Sequence, residues 1–353
     1  MLTGLEVHNF RCIEHASLDF HERGTGIVGP NASGKTSLLE AAFFLGHGRS
    51  FRTTTREKLV RRGAPSFQII GRLESDERSL VASAEFAESS TQLRLAGRGV
   101  SSVSEIAEVL PIHVIDPGVH RLIDEGSARR RRLLDWGVFH VKHTFLHIWR
   151  RYQRALLQRN AALRSDLEDR LIGAWDGELA ETAEQIDALR GDYIAILKPV
   201  FEQLATDLLG EAVDVEYRRG WQPPFRDALR DSFDRDRRLK TTNVGPHRAD
   251  LSIRVDGVLA RDRISRGQQK LLASALILAQ IDVRSRDPGA ERTCLLLDDP
   301  AAELDVDKLG KLLNAIQKLP AQLIVSAVTE AGLNGIEIGR RFHVEQGRFT
   351  PML

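Results

Sequence analysis

Three groups of residues in this 353-residue chain have types and spacings that could do chemistry together. The first is the run Gly29-Pro30-Asn31-Ala32-Ser33-Gly34-Lys35-Thr36. It fits the pattern of glycine, four residues, glycine, lysine and a hydroxyl residue, whose backbone N–H groups turn inward around a phosphate. In that reading Lys35 reaches the β- and γ-phosphates of a nucleotide, Thr36 ligates Mg²⁺, and Ser37 completes the cradle. The second group is Asp298-Asp299, which closes the apolar run Thr293-Cys294-Leu295-Leu296-Leu297. An aspartate at such a strand end can hold Mg²⁺, directly or through water. Asp298 is therefore the expected ligand, and Asp299 the carboxylate facing an attacking water. Asp299-Pro300 also suits a helix start, and both readings can hold at once. The third group is Ser265-Arg266-Gly267-Gln268-Gln269-Lys270, which opens a strongly apolar helix. Ser and Gly at a helix start make a second anion-binding arrangement. One phosphate tail rarely needs two such sites. Ser265 and Gly267, with Gln268 beside them, are therefore expected to bind the γ-phosphate held by a second subunit.

These groups need elements to hold them. Gly26-Ile27-Val28 reads as the end of a strand, and residues 37–45 have helical spacing, so strand, loop and helix follow in the order a phosphate cradle requires. A glycine-rich turn that fits the pattern by chance is the bland alternative. Residues 2–7 and 16–20 alternate as a hairpin around Phe10-Arg11, and residues 67–73, 79–86 and 91–95 as three further strands. Residues 101–110 read as a short helix and 111–117 as a buried strand ended by proline. From about 119 to 212 the spacing of Leu133, Leu134, Val138, Val141, Phe145, Ile148, Leu156 and Leu157 is helical. Strand signals return at 213–217 and at a hairpin turning on Asp256-Gly257. The last hundred residues alternate helix and apolar strand, as a parallel α/β sheet does.

Composition sets the limits. Net charge is +1 and 42% of residues are hydrophobic, so a nucleic-acid surface must be local and core material is ample. The helical stretch is split: residues 119–164 hold eleven Lys/Arg and three Asp/Glu, residues 165–216 three and fourteen. Two solvated helices that pair with each other would absorb much of that asymmetry. Arg129, Arg130, Arg131 and Arg132 are the candidate DNA-phosphate contacts, although four contiguous arginines point all round a helix. Arg235, Arg237, Arg238 and Lys240 alternate with Asp234 and Asp236 and read as a mixed solvated loop. The two cysteines, Cys12 and Cys294, sit in apolar runs, and the eleven histidines show no metal-ligand spacing with them. Residues 1–10 lack a signal peptide's apolar core and no segment approaches a membrane span. A cytoplasmic protein is expected.

Taken together the motifs resemble the ABC-type ATPase head: a phosphate loop, a Leu-Ser-Gly-Gly-Gln-like signature, an acidic strand, and Ala302-Glu303-Leu304-Asp305 in place of the loop that crosses the dimer interface. Among these heads the chain is similar to the SMC/Rad50-like branch and, within it, to the RecF family. The likeness is carried by Asn9-Phe10-Arg11, the phosphate loop with Leu38-Leu39-Glu40-Ala41, Gly48-Arg49-Ser50-Phe51-Arg52, Arg130-Arg131-Arg132 with Leu134-Asp135, Gly245-Pro246-His247-Arg248, the Ser265 stretch and Leu295-Leu296-Leu297-Asp298-Asp299. The resemblance implies an α/β head of residues 1–118 and 242–353, with a mixed and an antiparallel sheet, and an inserted helical arm of residues 119–241. It implies ATP and Mg²⁺ as cofactors and an ATP-dependent homodimer with slow, DNA-stimulated ATPase activity. It also implies binding to duplex DNA and to junctions of single- and double-stranded DNA, work with RecR and RecO in loading RecA, and residence at the nucleoid. Arg11 and Arg49 lie near the nucleotide loop by their place in the sequence, and each is expected to contact either a phosphate or a neighbouring carboxylate. The chain departs from the pattern in places. The strand 323–328 ends without a switch histidine, where Ser326 or Thr329 could stand in. Asp299 replaces a glutamate, and Asp116-Pro117-Gly118 and Ala249 replace the usual residues. A short-armed SMC/Rad50-like ATPase of another complex, a transporter ATPase subunit and a clamp that binds ATP without turnover stay open as alternatives.

Overall fold

The computed structural model describes residues 1–352 apart from Asp76, Glu77, Asp166 and Glu303. Glu303, within the expected interface loop, therefore lies outside the described residues. The chain divides into two compact units, Met1–Val119 with Ser285–Leu353, and His120–Arg284. Residues 242–284, expected with the head, fall in the second of these units.

The first unit contains two six-stranded sheets. The mixed sheet runs in the order Arg348–Met352, Arg340–Glu345, Thr25–Val28, Gln322–Ala327, Cys294–Asp298, Ile112–Ile115. Neighbours from Arg340–Glu345 to Ile112–Ile115 are parallel, and Arg348–Met352 returns antiparallel. Thr25–Val28, Gln322–Ala327 and Cys294–Asp298 are buried along their whole length, which is why they read as unbroken apolar runs instead of alternating ones. The other sheet is antiparallel, in the order Ile13–Asp19, Leu2–Phe10, Ser66–Ser75, Arg78–Ala87, Ser90–Leu95, Arg98–Val100.

The helix Lys35–His47 packs against strands of both sheets. A helix so placed must be apolar on nearly every side, and this one is. Phe10, Phe44 and Phe67 meet edge to face at 5.1–6.5 Å between ring centres, joining hairpin, helix and sheet in one core. Such pairs add roughly 0.5–1.5 kcal/mol each beyond the area they bury.

The second unit holds the helices Ser127–Val141, Phe145–Arg164 and Asp176–Leu209, a three-stranded sheet and most of the helix Arg266–Ser285. Asp176–Leu209 has 34 residues, so it is about 50 Å long. The basic helices pair with this acidic one. Arg151 Nε donates to Glu178 at 2.8 Å and Arg159 Nε to Asp176 at 2.8 Å. In the opposite sense, Arg190 Nε of the acidic helix donates to Asp135 of Ser127–Val141 at 2.9 Å. Arg159 and Arg190 are fully buried. The turn between Asp250–Val255 and Val258–Leu259 is the expected two-residue one, with φ of +44° at Asp256 and +77° at Gly257.

One expectation fails here. The alternating stretch from Asp234 to Lys240 is not a solvated loop: it forms the short helix Phe233–Leu239, which follows another, Phe225–Asp231. Phe225 and Leu229 anchor that earlier helix in the interior, and Asp236 is buried, accepting from Arg159 Nη1 at 2.7 Å. The alternation of Asp and Arg hid a buried acid whose partner lies 77 residues earlier. Among the described residues, no helix is long and apolar enough to cross a membrane.

Candidate nucleotide site

The parallel register brings the first two chemical groups together. Ala327 pairs with Val28 and Ser326 with Asp298, so the loop after Thr25–Val28 and the acid pair after Cys294–Asp298 flank one strand end. Crevices beyond the carboxyl ends of parallel strands are where such sheets bind ligands. The Gly29 N–H donates to the Ala327 carbonyl at 3.3 Å, tying the loop to that edge.

Two glycines in the loop have geometric reasons. A Cβ on Gly29 would lie 2.2 Å from the Val344 carbonyl oxygen, and Gly34 has φ of +118° at the start of the helix Lys35–His47. Helix residues 35–37 thus begin with N–H groups that have no intrahelical acceptor and face the loop's concavity. Ser33 Oγ is buried with no hydrogen-bond partner in the structure. An acceptor such as a phosphate oxygen would satisfy it. Lys35 Nζ donates to the carbonyls of Gly29 at 2.6 Å and Pro30 at 2.8 Å, folded back over its own loop. Burial lowers the Lys35 ammonium from its ordinary pKa, and the charges of Asp299 and Asp298 oppose that.

Asp298 is the hub of the acid side. Thr36 Oγ1 donates to its two carboxylate oxygens at 2.9 and 3.0 Å, and Ser326 Oγ donates to Oδ1 at 2.7 Å. Burial pushes the Asp298 carboxyl up, and the Ser326 and Thr36 hydrogen bonds pull it back. A hydroxyl and a carboxylate oxygen 2.9 Å apart at a loop of this kind are the donor set for a hard, six-coordinate dication, so the residues present fit Mg²⁺. Asp299 sits at φ +50°, in the left-handed region that aspartate enters more readily than most non-glycine residues. Its N–H is held by the Ser326 carbonyl at 3.2 Å and by Ser326 Oγ at 3.0 Å. Of the two stand-ins for the missing histidine, Ser326 is thus built into the acid pair, and Thr329 is exposed ahead of the short helix Glu330–Leu333.

Arg11 takes the carboxylate option. Its Nε and Nη2 donate to Glu40 at 2.9 and 2.7 Å. Glu40 is fully buried on the phosphate-loop helix. It also accepts from Ser50 Oγ and has Arg52 Nη1 at 3.5 Å. Arg11 itself has φ +56° in the tight turn between Leu2–Phe10 and Ile13–Asp19, with its N–H on the Leu59 carbonyl at 2.7 Å.

The Ser265 stretch lies in the second unit and forms a capping box. Gln268 N–H donates to Ser265 Oγ at 3.4 Å and Ser265 N–H to Gln268 Oε1 at 3.0 Å. Gln268 Nε2 donates to Glu211 at 3.1 Å, so its side chain is committed to the fold. Ser265 and Arg266 are exposed and Gly267 half-buried, leaving the helix start open.

The four arginines divide. Arg130 is buried, and its guanidinium bonds Asp250 through Nε and Nη2 at 2.8 and 3.1 Å and three backbone carbonyls through Nη1. Arg131 Nη1 donates to the Ala249 carbonyl at 2.7 Å, Arg129 pairs with Glu125, and Arg132 is exposed. The burial of Arg130 removes it from the DNA candidates: a hairpin acid 120 residues away claims the guanidinium.

A family model for the RecF/RecN/SMC N-terminal domain matches residues 1–348. The DNA replication and repair protein RecF of Yersinia pseudotuberculosis serotype O:1b is 40% identical over 354 residues, covering 98% of each chain. This chain belongs to the RecF family. RecF proteins of Erwinia tasmaniensis and Vibrio vulnificus are 38% and 36% identical over nearly the full length of both chains. Among solved structures, a recombination mediator protein RecF with ATP in the RecFOR pathway superposes with a TM-score of 0.89 at 25% identity, over 100% of this chain and 97% of that one. An Smc head bound to the C-terminal winged-helix domain of ScpA matches at 0.62 and 17% identity, which carries the ABC-type α/β fold alone.

For this member of the family, sequence reasoning missed two parts of the site. Glu40 stands in the stretch Leu38-Leu39-Glu40-Ala41 that carries the likeness, but no role was read for it, and only its burial exposes one. Gly347, in the turn between Arg340–Glu345 and Arg348–Met352, donates from its N–H to the Ser33 carbonyl at 2.7 Å. A Cβ there would meet the Cys12 carbonyl oxygen at 2.7 Å. A lone Gly after Gln346 carries no phosphate signal, and its part follows from strand order.

Proposed function

We propose that this chain is an ATP-dependent, DNA-binding recombination mediator of DNA replication and gap repair. Residues 1–118 and 242–353 would serve as its ATPase head and residues 119–241 as its arm. The carrying observation is the Thr36–Asp298–Ser326 chain of hydrogen bonds at the mouth of a phosphate loop whose Lys35 is buried. Bound ATP with Mg²⁺ would supply the anhydride and the dication that draws its phosphate charge. Lys35 would leave its loop carbonyls for the β- and γ-phosphate oxygens. Thr36 and Asp298 would hold the cation, and Asp299 would orient the attacking water. Ser265 and Gly267 of a second copy would close over the γ-phosphate with the N–H groups of their helix start. Asp299 is one methylene shorter than glutamate, which favours slow turnover and hence a switch. The RecFOR pathway named for a similar protein supports RecR and RecO as partners, and loading of RecA through them belongs to the same proposal. Duplex DNA and single-to-double-strand junctions are the proposed nucleic-acid partners, with Arg129 and Arg132 as phosphate contacts, at the cytoplasmic nucleoid.

Sedimentation with ATP, ADP or neither, with and without gapped DNA, tests the reading. The wild type should dimerise with ATP alone among the nucleotides. Lys35→Ala should lose ATP affinity by about tenfold or more, the worth of a charged hydrogen bond. Ser265→Arg should bind ATP yet remain monomeric and hydrolyse none. Normal hydrolysis by monomeric Ser265→Arg would reject the sandwich. Phosphate release that stays at zero with DNA would favour a clamp.

A further inference from the structure

The antiparallel sheet carries a second donor cluster, unrelated to the phosphate loop. Glu6 and His8 are two apart on Leu2–Phe10, so their side chains leave the same face, and His15 on Ile13–Asp19 is the direct cross-strand partner of His8. That face is the outer one: Leu5 and Val7 point into the core, while Glu6 and His8 are half-buried and His15 is exposed. Glu6 Oε1 lies 2.7 Å from His8 Nε2 and 3.6 Å from His15 Nε2, with the imidazole centres 4.7 Å apart. One ligand atom from each falls within 4.8 Å of the other two.

A tetrahedral Zn²⁺ with bonds of about 2.0–2.1 Å needs its ligand atoms roughly 3.3–3.4 Å apart. The two contacts to Glu6 bracket that value, so a cation could enter with side-chain shifts alone. Two imidazoles and one carboxylate are the ligand set that borderline ions prefer over Mg²⁺ or Ca²⁺. From this geometry we infer that Glu6, His8 and His15 form a surface site for Zn²⁺ or a similar borderline divalent cation. Three protein ligands leave at least one position for water or an external ligand. The site bridges the two strands whose turn presents Arg11. Occupancy fastens that hairpin three residues from Arg11.

The test uses untagged, chelator-stripped full-length protein with excess Mg²⁺ to fill the phosphate-loop site. Zn²⁺ competition against a chromophoric chelator should give one site of micromolar affinity or tighter. Co²⁺ should give the intense visible bands of a four-coordinate ion. His15→Thr lies on an exposed strand position and should fold. It and Glu6→Gln should each weaken binding by roughly tenfold or more, since losing even an outer-sphere partner costs that much. Zn²⁺ should raise the melting temperature of the wild type more than that of His15→Thr at the same concentration. Equal binding by wild type and both variants, or binding at millimolar Zn²⁺ only, overturns the site.

Discussion

Glu40 illustrates how one side chain can govern several. It is fully buried, five positions after Lys35, and it gathers Arg11, Ser50 and Arg52 around a single carboxylate. Glu40→Gln removes the charge and leaves two guanidiniums unmatched. Thermal unfolding should register a loss of about 2–3 kcal/mol, less than for a fully buried pair because Arg11 and Arg52 reach water. Affinity for an ATP analogue should fall as well, through the displaced Arg11 turn; unchanged affinity would confine Glu40 to stability. The phosphate loop was legible from sequence because its pattern is local. Glu40 was not, because nothing in its neighbourhood tells a buried acid from a solvated one. His8 and His15 failed to read as ligands for a related reason: they meet through strand pairing, and their spacing along the chain is that of no metal motif.

Among the elements, the turn at Gly347 decides whether the loop keeps its shape. Gly347 has φ +77°, and its N–H is the donor that Ser33 requires. Gly347→Ala should add about 1–2 kcal/mol of backbone strain and crowd the Cys12 carbonyl. The expected outcome is a several-fold weaker nucleotide affinity in equilibrium titration with secondary structure intact; unaltered affinity would make the contact incidental. The strands of the mixed sheet were legible as apolar runs and the 250–259 hairpin by its Asp256-Gly257 turn. The helices at Phe225–Asp231 and Phe233–Leu239 were not. Their anchors are few, and the buried partner of Asp236 lies on a distant helix.

At the scale of the molecule, the second unit carries both a group that answers acid and its own reporters. All four tryptophans, Trp136, Trp149, Trp175 and Trp221, belong to the second unit, so their fluorescence follows that unit alone. His247 in that unit bonds the Tyr152 hydroxyl at 2.6 Å and the Thr242 carbonyl at 3.0 Å. Burial pushes its pKa down to about 4 from an ordinary 6.5. The unfolded chain takes up this proton first as pH falls. The stability that neutral His247 contributes is therefore complete above about 6.5 and drains away down to about 4. Urea midpoints read by tryptophan emission should fall across that window, and His247→Asn should flatten the slope; an unchanged slope would remove His247 as the cause. The first unit has another peculiarity, one of time. Its two segments are separated by 165 residues of the second, yet Gly347 closes on Ser33. A ribosome delivers the phosphate loop early and its last buttress late, so the nascent chain carries Lys35 long before it can own a finished pocket. Nucleotide capture by the nascent chain then waits on residues 298–347: a shorter copy has the lysine without the acid and the turn that complete its loop.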